Sequence, residues 1–148
     1  MTHFDDIIIY TDGACSNNGK PNAVGGCGVH FPNKEFEDKS TKFNLSPISN
    51  NRAELYAIYL ALESLQDITF KTVTIHSDSR YAINCVTSWY KVWEKQNFLL
   101  SNKKPIKNFD IITKIRDILV KHTNINFIYV ERSKNTNADK LAKNGKSL

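Results

Sequence analysis

The stretch that decides the fold is "IIIYTDGACSNNG", Ile7 to Gly19. Three isoleucines and a tyrosine read as a buried strand over 7–11, with a turn after it. The strand runs directly into Asp12. A carboxylate carried in on an apolar strand is partly desolvated, which is unfavourable unless it is paired or binds a metal. The ordinary explanation is an Asx-turn, in which Asp12 caps the Asp-Gly turn.

Working outward, 22–31 ("NAVGGCGVHF") reads as a second strand, whose Gly25, Gly26 and Gly28 suggest a bulge or a close backbone approach. A third, more polar strand is predicted over 35–43. The short connections imply an antiparallel meander. The spacing then predicts a helix over 49–65 with Ser49 or Asn50 as cap, and a strand over 72–77. A helix over 79–96, in one piece or two, follows. A further helix spans 106–122, with Ile111, Ile115, Ile118 and Leu119 on one apolar face. A strand over 125–130 and a last helix over 136–145 complete the series. The order β-β-β-α-β-α-α-β-α predicts an α/β fold, a mixed sheet with helices packed on its faces. No repeat, low-complexity segment or linker interrupts 1–148, so one domain is expected.

The bulk composition restricts the function classes. The chain has 148 residues, 41% of them hydrophobic and 24% charged, as in a globular protein with a real core. No apolar run approaches the ~20 residues of a membrane helix, and no secretory leader is recognisable. An intracellular protein and no membrane partner are the expectation. Cys15, Cys27 and Cys85 match no zinc spacing and read as reduced core or loop residues. The net charge of +5 leans towards a polyanionic partner.

Three more acids stand in places like that of Asp12. Glu54 is the only charge in "AELYAIYLAL", and a first-turn glutamate favoured by the helix dipole would explain it. Asp78 ends the strand over 72–77, where an N-cap would explain it. Asp139 lies in "NADKLA", where helix-start chemistry would explain it. Each explanation serves alone. Together the four point to one place, because ligands of α/β sheets collect at strand carboxyl ends. Clustered like charges need a counter-charge, and an all-oxygen set suits Mg²⁺ or Mn²⁺.

The motifs "YTDGACSNNG", "NNRAELYA", "HSDSRYAIN" and "NADKLA", in this order and spacing, resemble type 1 ribonuclease H over nearly the whole chain. The resemblance implies a five-stranded mixed sheet with three antiparallel N-terminal strands and helices on both faces. It implies hydrolysis of the RNA strand of an RNA–DNA hybrid by a monomer using two Mg²⁺ ions, with Mn²⁺ as a substitute, leaving 5′-phosphate and 3′-hydroxyl ends. Asp12 would bridge both ions. Glu54 and Asp78 would complete the leaving-group side, and Asp139 would help hold the ion that activates water. Asn18 and Asn51 match positions near RNA 2′-hydroxyls.

The segment 89–107, "WYKVWEKQNFLLSNKKPIK", resembles the family's basic protrusion. Its Lys91, Lys95, Lys103, Lys104 and Lys107 face one acid, Glu94. Tyr81, Trp93 and Ser101 match the DNA-strand pocket, and Asn108 a phosphate-binding asparagine. Trp89 is assigned to the core. Two departures stand out. "VERSKNTNAD" (130–139) carries no histidine, where many members have one on a mobile loop; Arg132 or Lys134 is expected to assist product departure or steady the phosphate. The phosphate-pocket arginine expected near Pro47 is also missing. Another nuclease of the same superfamily is a second reading. The alternative from a different class is a degenerate, non-catalytic binding domain of a larger replication or reverse-transcription protein.

Overall fold

The computed structural model describes residues 1–148. Five strands form one mixed sheet: β1 (Thr2–Ser16), β2 (Val24–His30), β3 (Lys39–Phe43), β4 (Ile68–Ser77) and β5 (Ile125–Tyr129). Their spatial order is β3-β2-β1-β4-β5. β1, β2 and β3 are antiparallel neighbours, while β4 and β5 join parallel to β1 and to each other. Five α-helices surround the sheet: α1 (Asn50–Glu63), α2 (Arg80–Val86), α3 (Ser88–Lys95), α4 (Phe109–Leu119) and α5 (Thr136–Gly145). A 3₁₀ turn, Arg132–Lys134, leads into α5.

The central strand is much longer than its apolar run. The sequence marks only 7–11, but pairing extends β1 in both directions. Thr2 to Thr11 run beside β4, and Tyr10 to Ser16 run beside β2. Backbone hydrogen bonding, not side-chain hydrophobicity, makes strand of the polar ends. The third strand is shorter than the predicted 35–43, because Asp38 takes the backbone N–H of Phe31 and the ring of His30, both at 2.8 Å. That contact folds 35–38 back as a loop.

Close approach of main chains decides where the helices sit. Residues of a strand alternate between faces. A Cβ on Gly13 would lie 2.3 Å from the backbone nitrogen of Glu54, so α1 rests directly on β1 there. A Cβ on Gly28, which pairs with Asp12, would lie 2.3 Å from the carbonyl oxygen of Ala138. Hence α5 covers the opposite face. The close backbone approach expected from the β2 glycines is realised, and it fastens α5 to the sheet.

The helix over 79–96 is two helices, broken at Thr87, whose φ of −120° and ψ of −95° are not helical. Buried Ile111, Ile112, Ile115 and Leu119 carry α4 into the core beside Leu55, Ile58 and Leu62 of α1. In α3 no residue is fully buried.

Candidate active site

β4 ends where the site begins. Thr11 and Ser77 are the last residues paired between β1 and β4, whereas β1 continues beside β2 as far as Ser16. Asp12 is therefore one residue beyond the point at which its parallel neighbour leaves it. Asp78 is the first residue past β4, and Glu54 reaches the same place from α1. One carboxylate oxygen from each lies within 4.8 Å of the others. Asp12 is only 3% exposed. Glu54 Oε2 and Asp78 Oδ2 are buried without a hydrogen-bond partner. Buried oxygens of this kind are costly unless something else satisfies them.

Of the ordinary explanations, one describes a real contact. The Gly13 N–H donates to Asp12 Oδ1 at 2.9 Å, as in an Asx-turn. The cap explanation fails for Asp78: the N-cap of α2 is Ser79, whose Oγ accepts from the Ala82 N–H. Glu54 is not in a first turn, because α1 starts at Asn50 with Ser49 as cap, which places Glu54 one turn inside. Asp139 is in the first turn of α5.

Burial shapes the electrostatics. Desolvation pushes the Asp12 carboxyl up to about 7, against a hydrogen bond with Glu54 that lowers it, and the charges of Asp78 and Asp139 raise it further. Glu54 is also held well above the usual carboxylate range, first by burial and then by the charge of Asp12. Asp139 lines the same cleft but pairs with Lys143, Oδ2 to Nζ 2.9 Å, and is not one of the three converging groups.

The cleft has a volume of about 420 Å³. Besides the four acids it is lined by Asn51, Cys15, Arg132, Lys143 and Lys146. Asn51, in the first turn of α1, thus belongs to the acid site. Asn18 is exposed at the edge, where its Oδ1 accepts from the Asn50 N–H at 2.9 Å and steadies the start of α1. Arg132 lines the cleft. Lys134 lies elsewhere, in a smaller cavity with Tyr10, His30 and Asn137.

Of the residues predicted to meet the DNA strand, Tyr81 and Asn108 touch directly, and Tyr81 is linked to Trp93 through Trp89. Asn108 Nδ2 donates to the Tyr81 hydroxyl at 2.8 Å, and Asn108 adopts a left-handed φ of 64°. Trp93 is partly buried against the core. Trp89 corrects the sequence reading: it is 40% exposed, touching Tyr81 edge-on and tilted against Trp93. Lys91, Lys95, Ser101, Lys103 and Lys104 are exposed. Lys91 lines a separate groove with Arg116, Leu119 and His122.

Two supporting residues were not legible as such. Arg52 is 4% exposed and holds Asp110 through two bonds of 2.8 Å, while its Nη1 reaches Asn108 Oδ1 at 3.4 Å. It braces α1 against the start of α4 and fixes the Asn108 amide. The signal was an arginine between a cap and an apolar helix. Asn135 is buried and donates to the Thr11 carbonyl at 2.9 Å, which ties the entry of α5 to the strand residue before Asp12.

The family model for RNase H matches residues 5–147. The chain belongs to the ribonuclease H family. The Ribonuclease H of Schizosaccharomyces pombe is 41% identical over 147 residues, covering 97% of this chain and 54% of that protein. This chain therefore spans about half the length of that relative. The Ribonuclease H of Clostridium botulinum strain Hall is 36% identical over 141 residues, covering 92% of each chain. Among solved structures, LC11-RNase H1 in complex with RNA/DNA hybrid superposes with a TM-score of 0.68 at 24% identity, over 95% of this chain and 96% of that one. The RNase H fold, with its five-stranded mixed sheet, is thus shared.

Proposed function

We infer that this member of the ribonuclease H family is a metal-dependent endoribonuclease acting on the RNA strand of RNA–DNA hybrids, leaving 5′-phosphate and 3′-hydroxyl ends, and that 1–148 is one catalytic domain. The observation that carries this reading is the convergence of Asp12, Glu54 and Asp78 within 4.8 Å. The donor set is all oxygen and includes two buried atoms without partners, Glu54 Oε2 and Asp78 Oδ2. That fits hard divalent cations such as Mg²⁺ or Mn²⁺. Asp12, Glu54, Asp78 and Asp139 would hold two such ions, with Asp12 central. When bound, a pair of divalent cations supplies charge against a developing pentacoordinate phosphate and makes water a competent nucleophile at neutral pH.

The chain's own residues do the rest. Asn51 lines the cleft and suits a ribose 2′-hydroxyl, the group that separates RNA from DNA; Asn18 supports the turn beside it. Arg132 offers a positive charge to the scissile phosphate. The exposed lysines 91, 95, 103 and 104 would neutralise phosphates, and Tyr81, Trp93, Ser101 and Asn108 would seat the DNA strand. A binding-only domain fits the structure less well, because carboxylates packed this tightly destabilise a fold that uses them for nothing.

Incubating the protein with labelled hybrid, duplex RNA and duplex DNA, in Mg²⁺, Mn²⁺ or EDTA, tests the reading. Hybrid-only cleavage that EDTA abolishes supports it. Tight hybrid binding without cutting under either metal overturns it.

A further inference from the structure

Lys143 stands out because it reaches the acid site from an exposed position on its rim. It belongs to α5, one turn after Asp139, and both side chains line the cleft of Asp12, Glu54 and Asp78. Its Nζ is 2.9 Å from Asp139 Oδ2. An acid four residues before a lysine is the favourable order on a helix, so the pair forms readily. The backbone of α5 is closely packed beneath it. The helix is pressed onto glycines: Cβ atoms at Gly26 and Gly28 would lie 2.1 Å and 2.3 Å from the carbonyl oxygens of Ala142 and Ala138. Asp139 can change partner only by turning its side chain. Lys146, the other lysine on this rim, is engaged differently, donating to Ser16 Oγ at 2.9 Å.

We propose that Lys143 is a built-in competitor for the fourth carboxylate. A divalent cation that takes Asp139 as a ligand must displace the lysine ammonium, so the Asp139–Lys143 pair sets the concentration at which the second ion binds. The proposal rests on the cation-site reading above and assigns Lys143 to its regulation, as a positioning residue for Asp139. The ammonium opposes the ion twice, by holding its ligand and by adding like charge to the cleft. An exposed pair of this kind is weak and salt-sensitive. The effect is therefore a tuning of occupancy and not a block.

The test is a Mn²⁺ titration of the intact protein without nucleic acid, followed by calorimetry and by water-proton relaxation. In Lys143→Met the weaker of the two ions should bind about three- to tenfold more tightly at low ionic strength, with the gain shrinking as salt rises. Lys143→Arg, which keeps the charge, should resemble wild type. Lys140→Met, which removes the same charge from an exposed position of α5 outside the cleft, should leave the titration unchanged. If Lys143→Met titrates like wild type, or no differently from Lys140→Met, the proposal falls. Asp12→Asn separates this from failure of the parent reading. If that variant keeps wild-type Mn²⁺ binding, the acid cluster is not the cation site and both fall. If it loses binding while Lys143→Met behaves as wild type, the cation site stands and only the role of the lysine is overturned.

Discussion

Replacing Asp12 by asparagine removes a charge and keeps the shape, so it measures what the buried acid costs the fold. Asp12 is 3% exposed, and burial with its acidic neighbours lifts its carboxyl from 3.8 to about 7. At 1.36 kcal/mol per pH unit, a shift of that size corresponds to about 4 kcal/mol of destabilisation once the group is forced to ionise. Part of this is shared with Glu54, which is raised for the same reasons, so about 2–4 kcal/mol is the expected gain. The sign follows from the raised value. Below pH ~4 both folded and unfolded chains hold the proton and the variant gains nothing. Between pH ~4 and ~7 the folded protein retains a proton that the unfolded chain has lost, and wild type weakens steadily as pH rises. Above ~7 the difference is complete. In EDTA at pH 8, Asp12→Asn should melt at least ~4 °C above wild type, given ~2–4 °C per kcal/mol for a chain of this size. The asparagine oxygen can still accept the Gly13 N–H, so no hydrogen bond need be lost. Saturating Mg²⁺ should narrow the gap by stabilising wild type alone, while hybrid cleavage by the variant falls by orders of magnitude. Thermal denaturation over pH 4–9 with parallel activity assays gives the answer. Equal or lower stability of the variant at pH 8 would refute the claim that these carboxylates are held together against their repulsion.

Other consequences follow from single residues. Gly28→Ala sets a methyl 2.3 Å from the Ala138 carbonyl and should cost several kcal/mol in urea unfolding, roughly the upper range for point changes, or prevent folding. Arg52→Met strands Asp110, Asn108 Oδ1 and the Leu45 and Ser46 carbonyls; a loss of ~2–4 kcal/mol is expected, with hybrid affinity lowered because Asn108 is freed. Arg132→Ala should slow turnover with little change in hybrid affinity, and unchanged turnover would remove its assignment to the scissile phosphate. Lys103→Ala with Lys104→Ala should weaken hybrid binding and reduce the salt slope of log K by about 1–2, read from affinities between 50 and 200 mM salt.

The order of elements was readable because each strand and helix carries its own periodicity. The four acids were readable because carboxylates in apolar contexts are costly and therefore conspicuous. What escaped the sequence depended on partners distant along the chain. The length of β1 is set by β2 and β4, and polar Asp5, Asp6 and Cys15 give no hint of it. The early end of the third predicted strand comes from one contact, Asp38 with Phe31. Trp89 was misassigned because residues four apart on one helix face share neighbours without sharing burial: in α3, where nothing is fully buried, Trp93 packs against the core while Trp89 stays 40% exposed beside it. Arg52 and Asn135 look like surface polar residues until their partners, Asp110 and the Thr11 carbonyl, are brought to them by folding.

The glycines of β2 have a further consequence. Where most helices rest on a sheet through interlocking side chains, each repacking of those side chains shifts the helix by fractions of an ångström. Here α5 meets β2 main chain to main chain, with nothing compressible between them. The height of Asp139 above the sheet is thus set by van der Waals contact between two backbones. Substitutions elsewhere in the core can raise or lower stability over a wide range while the acid's Cα keeps its place, so the fold's durability and the alignment of its chemistry can vary independently.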